Sequence, residues 1–464
     1  MNEIPKIPAS TSAAAALRDA IGGPVHLIGD DTYDEARLPW RRLTDPRPAL
    51  VADATGPDDV RTVLLTAREH DLPLVVQSTG HGTIRSYEGG VMLRTSLMKG
   101  VEVDPERRIA RAGAGAVWGD VLAACSPYGL MPLSGTALSV GVVGYTLGGG
   151  AGMLSRAYGF AADSVVRAEV VTAEGKTLVA DAEENPDLFW ALRGGGGNFG
   201  VVTSLEFRLH PVAEVYGGMA MFDIGRAEQT IACYREWAPE QPDELSTAIV
   251  LLQMPDSPQL PEPMRGMRAL GLRAVHTGEA DEAERLLAPL REAAGQPIAY
   301  PFRTMPCADM TTEIFGPPPP PMVVESSVDL AYELSDELID ASVAAVVADG
   351  EVSAVELRYW GGAMARPPAG AGPVGHRDVP FSVLGGSAPA VDRDQGAEAK
   401  AAVDAFSAAI RPHVTGGAFL NFLEDPDKTA TAYSAEEYRR LAAVKRTYDP
   451  DNVFSGNHNI PPAS

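Results

Sequence analysis

Glycines gathered in clusters between residues 133 and 200 are the feature that most constrains how this chain can fold. Unbroken glycine runs occupy residues 148–150 and 194–197, with Gly141, Gly144 and Gly152 close by. A glycine inside a helix or strand costs about 0.5–1 kcal/mol relative to alanine. A chain therefore keeps such runs where the backbone turns through positive φ or closely approaches another group. The pyrophosphate of a flat dinucleotide is such a group, because backbone N–H groups can cradle it.

Length and charge exclude several classes of protein. The chain has 464 residues, which predicts two or three domains. Its net charge of −24 argues against nucleic acid or an anionic membrane as a partner. The three cysteines lie far apart, without the spacing of metal ligands, so neither a disulfide framework nor a metal site is predicted.

The amino-terminal sequence indicates the compartment. Residues 1–23 lack the basic region and continuous apolar core of a signal peptide, and no stretch is apolar enough to predict a membrane span. Together with the cysteine usage, this favours a cytoplasmic protein.

Strand and helix patterns divide the chain into three parts. Residues 49–211 alternate strands with helices, and the strand at residues 72–77 leads into a turn that holds His81. From residue 215, long alternating strands and amphipathic helices predict an α+β unit built on an antiparallel sheet. A turn-rich tail follows the last helix. The expected boundaries are 1–212, 213–414 and 415–464.

A proline run, GPPPPPM at residues 316–322, interrupts the second part. Its composition predicts a stiff segment in polyproline geometry, either a connector or lid or an ordinary surface loop.

Four segments in order resemble one family. They are VVQSTGHG around His81, GVVGYTLGGGAGMLSRAYG from Gly141, NPDLFWALRGGGGNFGVVT from Asn185 and YDPDNVFSGNHNIPP from Tyr448. Each alone is weak, since glycine-rich runs match many nucleotide sites by chance. Together they are similar to the FAD-linked oxidases of the vanillyl-alcohol oxidase type, in the berberine-bridge-enzyme-like branch, over most of the chain.

The resemblance implies a fold and a cofactor. The implied fold is α+β, with a two-subdomain FAD-binding domain of the PCMH type, a substrate (cap) domain with a helix-covered antiparallel sheet, and a tail that returns to the FAD domain. In this family a histidine bonds covalently to the flavin ring, and His81 stands at that position. Neutral imidazole is a good nucleophile near pH 7. Without the resemblance, His81 is an ordinary turn histidine.

A second attachment to the flavin is not expected. Relatives often carry a cysteine in a Gly-x-Cys-Pro-Thr-Val-Gly segment, and Ala137 occupies the cysteine position here. Cys125 lies too early in the chain to replace it, so FAD attached through His81 alone is predicted.

The same resemblance gives a set of residues around FAD, although some of the glycines have the alternative role of permitting tight packing. The set comprises Gln77, Ser78, Thr79, Gly80, His81, Gly82, Thr136, Gly141, Gly144, Tyr145, Gly148, Gly149, Gly152, Gly200, Val202, Asn457 and Asn459.

Glu356 is the first candidate for the catalytic base. It lies in an apolar strand between Val355 and Leu357, where a carboxylate is costly unless it is paired or functional. Burial is expected to raise its pKa toward the working range. The alternative is that strand alternation points Glu356 and Arg358 at solvent or into an ion pair.

A departure from the family pattern leaves the base open. Relatives often use the tyrosine of a Tyr-x-Asn-Phe segment, and here that position is Phe419. Tyr145 and Tyr359 are the other candidate bases. Asn421 is a candidate polar contact, or equally a structural asparagine in a strand.

The predicted function is an oxidase that removes a hydride from a small or medium-sized alcohol, of a secondary-metabolite or carbohydrate-like kind, and reduces dioxygen to hydrogen peroxide. One alternative is oxidative cyclisation or desaturation of a natural-product precursor, and another is a non-catalytic flavin carrier. A monomer or homodimer is expected, with no nucleic acid or membrane partner.

Overall fold

The computed structural model of the chain describes residues 9–464 except 255, 257–261, 263–264, 349, 351 and 391–392. Within these residues the strands form sheets of four, five, two and seven strands. No helix in the described part of the chain is long and apolar enough to cross a membrane.

The four-stranded sheet comes first and holds the strand that leads to His81. Its order is β1-β2-β4-β3, with β2 and β3 each parallel to β4 and β1 antiparallel to β2. Val60, Val63, Leu64 and Ala67 form the buried stripe of the helix that crosses between β2 and β3. The elements are α1 (Ala9–Ala20), β1 (Val25–Leu27), α2 (Tyr33–Arg37), β2 (Leu50–Asp53), α3 (Pro57–Glu69), β3 (Leu74–Gln77) and β4 (Val91–Arg94).

An antiparallel five-stranded sheet of order β5-β6-β10-β8-β9 completes the first half of the molecule. It shares one hydrophobic core with the four-stranded sheet. The elements are β5 (Val101–Asp104), β6 (Ile109–Gly113), α4 (Trp118–Cys125), β7 (Leu130–Met131), α5 (Val142–Leu147), α6 (Ser155–Tyr158), α7 (Ala161–Ser164), β8 (Val165–Val171), β9 (Thr177–Ala180), α8 (Pro186–Leu192), β10 (Val201–Arg208) and β11 (His210–Pro211), which pairs with β7.

Residues 133–160, here called the glycine segment, connect β7 to β8 through short helices. Gly148 ends α5, and Gly149 and Gly150 follow with φ of 114° and 74°. These left-handed angles are incompatible with a continued helix. The segment therefore runs as short turns across the molecule.

The cap domain is a seven-stranded antiparallel sheet of order β15-β12-β14-β13-β17-β18-β16. One face packs against four helices, through Ile231, Leu290, Leu338 and Phe406. The elements are β12 (Glu214–Asp223), α9 (Ala227–Trp237), β13 (Leu245–Gln253), β14 (Arg268–His276), α10 (Ala280–Ala294), β15 (Arg303–Pro306), α11 (Met310–Phe315), β16 (Ser326–Ala331), α12 (Asp336–Val347), β17 (Val352–Tyr359), α13 (Gly362–Ala365), β18 (Phe381–Ser387) and α14 (Arg393–Ile410).

Strand alternation decides which side chains face the first half of the molecule. Val355, Leu357 and Tyr359 of β17 belong to the helix-side core. Because side chains alternate along a strand, Glu356 and Arg358 lie on the opposite face, here called the open face of the cap sheet.

The tail returns to the first half through α15 (Ala435–Tyr448). Lys445 and Asp449 form a fully buried ion pair of 2.7 Å. Lys445 also donates to the carbonyls of Asn198 and Phe454, and Asp449 accepts from the amides of Val453 and Phe454. The pair thereby fixes the chain just before residues 457–460.

The predicted α+β architecture with a helix-covered antiparallel cap sheet is confirmed. Strand β11 ends at Pro211, β12 begins at Glu214 and α14 ends at Ile410. The exact domain boundaries stay predictions.

Replacing Lys445 with Met should lower the free energy of unfolding by about 3–5 kcal/mol, because Asp449 is then buried without its counter-ion. Denaturant titration of the purified protein, followed by circular dichroism, measures the loss.

Lys400→Met is the matched control, because Lys400 and Asp404 have the same i,i+4 spacing but are exposed. An exposed pair of this kind contributes about 0.3–0.5 kcal/mol. Equal losses in the two variants would contradict the structural role of the buried pair.

Candidate active site

The turn after β3 places His81 at the junction of three segments. Gly80 has φ of 77°, and a Cβ there would lie 2.5 Å from Cβ of Pro39. The amide of Trp40 donates to the Thr79 carbonyl at 3.0 Å. Only glycine permits this close approach of residues 39–40 to the turn.

The imidazole of His81 is held on one face and at both nitrogens. Its ring stacks on Trp40, with centroids 4.1 Å apart and an interplanar angle of 13°. Nδ1 lies 2.9 Å from Oγ1 of Thr79, and Nε2 lies 3.2 Å from Oγ of Ser139. Burial lowers the pKa of His81 to about 4. The ring is therefore neutral at pH 7, as a nucleophilic histidine must be.

Trp40 connects His81 to the proline run. Its Nε1 donates to the Pro319 carbonyl at 3.3 Å, and its own carbonyl accepts from the Met322 amide at 3.2 Å. The amide of Arg42 donates to the Met322 carbonyl at 2.8 Å. Residues 316–322 of the cap domain thus pack beside the His81 turn, which favours the lid interpretation over an ordinary surface loop.

Two predicted cofactor glycines, Gly82 and Gly144, border open space. No protein atom lies within 4 Å of a Cβ built on either one, and neither has a positive φ. Gly144 is exposed although Val143 and Leu147 beside it are buried. Neither backbone conformation nor protein packing requires glycine at these two positions, so their place in the cofactor site stays a prediction.

Four other glycines in the predicted set have protein neighbours. A Cβ at Gly148 would lie 2.6 Å from Asn421, one at Gly149 2.9 Å from Phe419, one at Gly152 1.9 Å from the Ser134 carbonyl and one at Gly200 2.5 Å from Val170. These glycines follow the alternative interpretation of tight packing. Gly141 is an intermediate case, because a Cβ built there would lie 3.4 Å from Oγ of Ser78. This contact brings the glycine segment against the His81 turn.

The polar side chains of the turn form hydrogen bonds with other groups of the protein. Gln77 is buried and accepts from Thr83 at 3.4 Å, and Ser78 donates to the Ala114 carbonyl at 3.0 Å. Of the remaining candidates, Thr136 is half-buried in a bend, and Val202 is buried in β10. These residues shape the site chiefly through their backbone.

The tail supplies two asparagines near the turn. Asn457 donates to the Gly82 carbonyl at 2.7 Å and accepts from the Ile84 amide at 3.3 Å. Oδ1 of Asn459 is buried without a hydrogen-bond partner. A buried acceptor without a partner is costly, so Asn459 fits a donor on a bound ligand.

Asn421 does not lie in a strand, and the expectation of a strand asparagine is wrong. It sits in a single 3₁₀ turn (Leu420–Phe422). Its Nδ2 donates to the Tyr145 carbonyl, and its Oδ1 accepts from the Gly150 amide, each at 2.9 Å. Asn421 therefore positions the glycine segment from outside its helices.

Phe419 is buried in an apolar cluster, at the position where the resemblance predicts a tyrosine hydroxyl. Its ring lies 5.4 Å from Phe160 and 5.2 Å from Trp360. The surrounding cluster joins the glycine segment to the open face of the cap sheet and also contains Ala151 and Leu330.

Tyr145 has a buried hydroxyl without a hydrogen-bond partner. Burial raises the pKa of the phenol, and the positive charge of Arg358 opposes that shift. A phenol held neutral in this way is a poor base. Tyr145 packs in the cluster that contains Val275 and Met305 of the cap, so this part of the glycine segment faces the cap sheet.

Glu356 is held between two arginines on that face. Arg273 of β14 donates to its Oε2, and Nε of Arg358 donates to its Oε1 at 2.8 Å. Burial alone would raise the pKa of Glu356, but Arg273 and Arg358 lower it to about 2. The expected upward shift is therefore wrong, and the alternative of an ion pair describes the structure.

Tyr359 does not share a site with Glu356. It packs in the helix-side core, 5.3 Å from the Phe381 ring and beneath the guanidinium of Arg156. Since residues 356 and 359 differ by an odd number, the pleat places them on opposite faces. Tyr359, an alternative to Glu356 as the base, therefore does not lie on the open face, and its role stays a prediction.

Sequence reasoning missed Trp40, Ser139 and Arg273. Arg273 had a usable signal, because it interrupts the apolar run of β14 as Glu356 interrupts β17. Trp40 and Ser139 lie in irregular segments whose neighbours depend on the tertiary fold.

Family models match two parts of the chain. A model described as "FAD binding domain" matches residues 48–181, and one described as "Berberine and berberine like" matches residues 418–461. These ranges contain the His81 turn with the glycine segment, and the tail with Asn421 and Asn457.

Full-length relatives agree with the family models. (R)-6-hydroxynicotine oxidase of Paenarthrobacter nicotinovorans is 28% identical over 97% of this chain and 99% of its own. An uncharacterised FAD-linked oxidoreductase of Bacillus subtilis is 29% identical over 93% of this chain and 95% of its own.

Solved structures share the fold. 6-Hydroxy-D-nicotine oxidase of Arthrobacter nicotinovorans has a TM-score of 0.82 at 26% identity, covering 96% of this chain and 98% of that one. BBE-like 1 of Physcomitrella patens has a TM-score of 0.87 at 22% identity, covering 97% and 99%.

The fold, the glycine-lined space beside His81 and these relatives define an FAD-linked oxidoreductase. The chain resembles the berberine-bridge-enzyme-like family of such enzymes, and the predicted resemblance is confirmed. The alternative of a non-catalytic carrier loses its support, because the relatives are oxidoreductases and oxidases.

Replacing Gly144 with Ala should weaken FAD binding without unfolding the chain. The added methyl group enters space that the protein leaves open and collides with a ring lying against the backbone. Overpacking of this kind costs about 1–3 kcal/mol, or roughly 5- to 150-fold in affinity. The ratio of flavin to protein absorbance in the purified protein reports the loss.

Gly100→Ala is the control, because a Cβ at Gly100 also meets no protein atom and Gly100 lies outside the predicted site. Full flavin content in both variants would show that the space beside Gly144 is not where the cofactor binds.

Proposed function

We propose that this enzyme is an oxidase that carries FAD on a single covalent bond from a ring nitrogen of His81. The observation that carries the proposal is the neutral, Trp40-stacked His81 ring at the edge of the space bordered by Gly82 and Gly144. Ala137 stands where a second attachment would need a cysteine.

The chain's own residues would hold the cofactor in distinct ways. Gly82 and Gly144 admit a flat ring against the backbone, and Asn459 offers an unpaired acceptor. Asn457 and Asn421 keep the two glycine-containing segments in place. The chemistry that bound FAD supplies is acceptance of a hydride and delivery of its two electrons to dioxygen.

The substrate would be a small or medium-sized molecule with a CH–OH or CH–NH group to oxidise. The relative named (R)-6-hydroxynicotine oxidase supports an oxidase of small molecules. The space for the substrate lies between the glycine segment and the open face of the cap sheet, where apolar clusters exclude water on two sides.

Glu356 would orient the reacting O–H or N–H group as a hydrogen-bond acceptor. With a pKa of about 2, the carboxylate stays ionised throughout the physiological range. Glu356 is therefore better suited to hold a proton donor in place than to take the proton outright.

Oxidative cyclisation or desaturation is the second candidate function, and Phe419 favours it. The apolar ring stands where relatives carry the hydroxyl that takes a proton. Together with a weakly basic Glu356, this suits a reaction whose proton leaves to solvent or to the substrate itself.

In wild-type protein precipitated with acid and redissolved, the yellow colour should stay with the chain and the intact mass should be raised by one FAD. His81→Ala should lose both signals, because the bond-forming ring nitrogen is gone. Visible absorbance and intact mass measure the outcome.

The control is His210→Ala. Burial lowers the pKa of His210 to about 4 as well, but its ring packs against Tyr158, and its Nε2 contacts Ser164. Flavin that washes away from the wild-type chain would overturn covalent attachment while leaving a dissociable FAD enzyme.

During turnover of an oxidised substrate, one hydrogen peroxide should form per product under air, with no labelled oxygen from ¹⁸O₂ in the product. Simultaneous peroxide and product assays with mass spectrometry test this. A ring closure or new double bond at the same peroxide ratio would select the second candidate, and labelled oxygen in the product would exclude both.

A further inference from the structure

The open face of the cap sheet carries a charged cluster in which Arg273 is buried and Glu356 and Arg358 are half-buried. Arg273 donates to one carboxylate oxygen of Glu356, and Arg358 approaches the other through Nε at 2.8 Å and Nη2 at 2.7 Å. Both carboxylate oxygens are therefore engaged by guanidinium groups. Two cations and one anion leave the cluster with a net charge of +1.

The cluster lies between two apolar contacts that join the halves of the molecule. On one side Leu133 and Met153 of the glycine segment pack with Val275 and Met305 of the cap. On the other side Phe160 and Ala151 pack with Leu330 and Trp360. The charged groups thus form a polar strip between two apolar contacts.

Hydrogen bonding inside the cluster is incomplete. Arg273 is 5% exposed, and its Nε has no hydrogen-bond partner. Its guanidinium lies 4.7 Å from the centroid of the Phe315 ring, which supplies no acceptor for that nitrogen. Across the interface, the Tyr145 hydroxyl also has no partner and is within electrostatic reach of Arg358.

Removing ions from water costs several kcal/mol each, and this chain is acidic overall, with a net charge of −24. Neither the acidic composition of the chain nor the ion pair itself explains the net positive charge of this cluster. A negatively charged ligand group would balance it, and a carboxylate matches the planar fork of a guanidinium.

We infer that the Arg273–Glu356–Arg358 cluster recognises a carboxylate on the substrate, so the substrate is a small alcohol or amine that also bears a carboxylate group. Arg358 contacts the anion, because 18% of its side chain remains exposed against 6% for Arg273. Glu356 and Arg273 hold Arg358 in place. The inference rests on the proposed function for the position of the substrate, and it adds the charge that the substrate carries.

Benzoate and benzamide are suitable probes, because they have nearly the same shape and differ in charge. Isothermal titration calorimetry of the purified holoenzyme should give benzoate a Kd at least about tenfold below that of benzamide. Arg358→Met should weaken benzoate by roughly 10- to 100-fold, the range expected for a hydrogen bond between charged groups, and leave benzamide within about twofold. Arg358→Lys should restore part of the benzoate affinity.

Glu356→Gln should change the affinity for benzoate in the opposite direction. Removing the competing carboxylate raises the net charge of the cluster, so benzoate should bind more tightly than to wild type while benzamide does not change. A purely structural role for the cluster would weaken both probes in both variants. Arg366→Met is the control, because Arg366 pairs with Asp243 at the surface.

Equal affinity for the two probes, or equal loss of both in Arg358→Met, would overturn the inference. Circular dichroism shows whether each variant is folded. If Arg358→Met does not fold, the affinities of Arg358→Lys for the two probes test the inference instead. Failure of the proposed function is distinguished by a purified protein that lacks flavin absorbance. Such a protein can still be titrated with both probes by calorimetry, so the inference is tested separately.

Discussion

The geometry of this enzyme's site depends on one side-chain amide. The glycine segment is broken into short helices, because Gly149 and Gly150 have positive φ angles directly after the first of them. Asn421 supplies what the segment lacks, by bridging the Tyr145 carbonyl and the Gly150 amide. The residue comes from the tail, far away in sequence, so the cofactor half is complete only after the carboxyl-terminal part has folded back.

The net charge of the cluster inside the molecule is opposite in sign to the net charge of the whole chain. The exterior follows the acidic composition, whereas the interface between the two halves holds guanidinium groups in excess over carboxylates. The same arginines that make Glu356 a weak base also set the charge of the substrate space. Low basicity and anion recognition are therefore two results of one arrangement, and neither can be altered alone by replacing an arginine.

The sequence was sufficient for the architecture and for the segments that meet at the site. Glycine clusters and strand alternation depend on local backbone chemistry, so the glycine segment and the cap sheet were predictable, whereas His81 was predicted only from the family resemblance. The sequence could not predict which glycines border open space. Gly144 and Gly148 lie in the same segment, but only Gly148 has a protein side chain, Asn421, close to it. The pKa of Glu356 likewise depends on Arg273, a residue on another strand.

The contact between Trp40 and the proline run has a consequence for the order of assembly. Trp40 covers one face of His81 and is itself fastened to Pro319 and Met322 of the cap domain. The cap and the amino-terminal loop therefore pack over His81 as one unit. A cofactor carried on His81, as proposed, would have to enter before these segments pack together, so its loading would belong to the maturation of the chain.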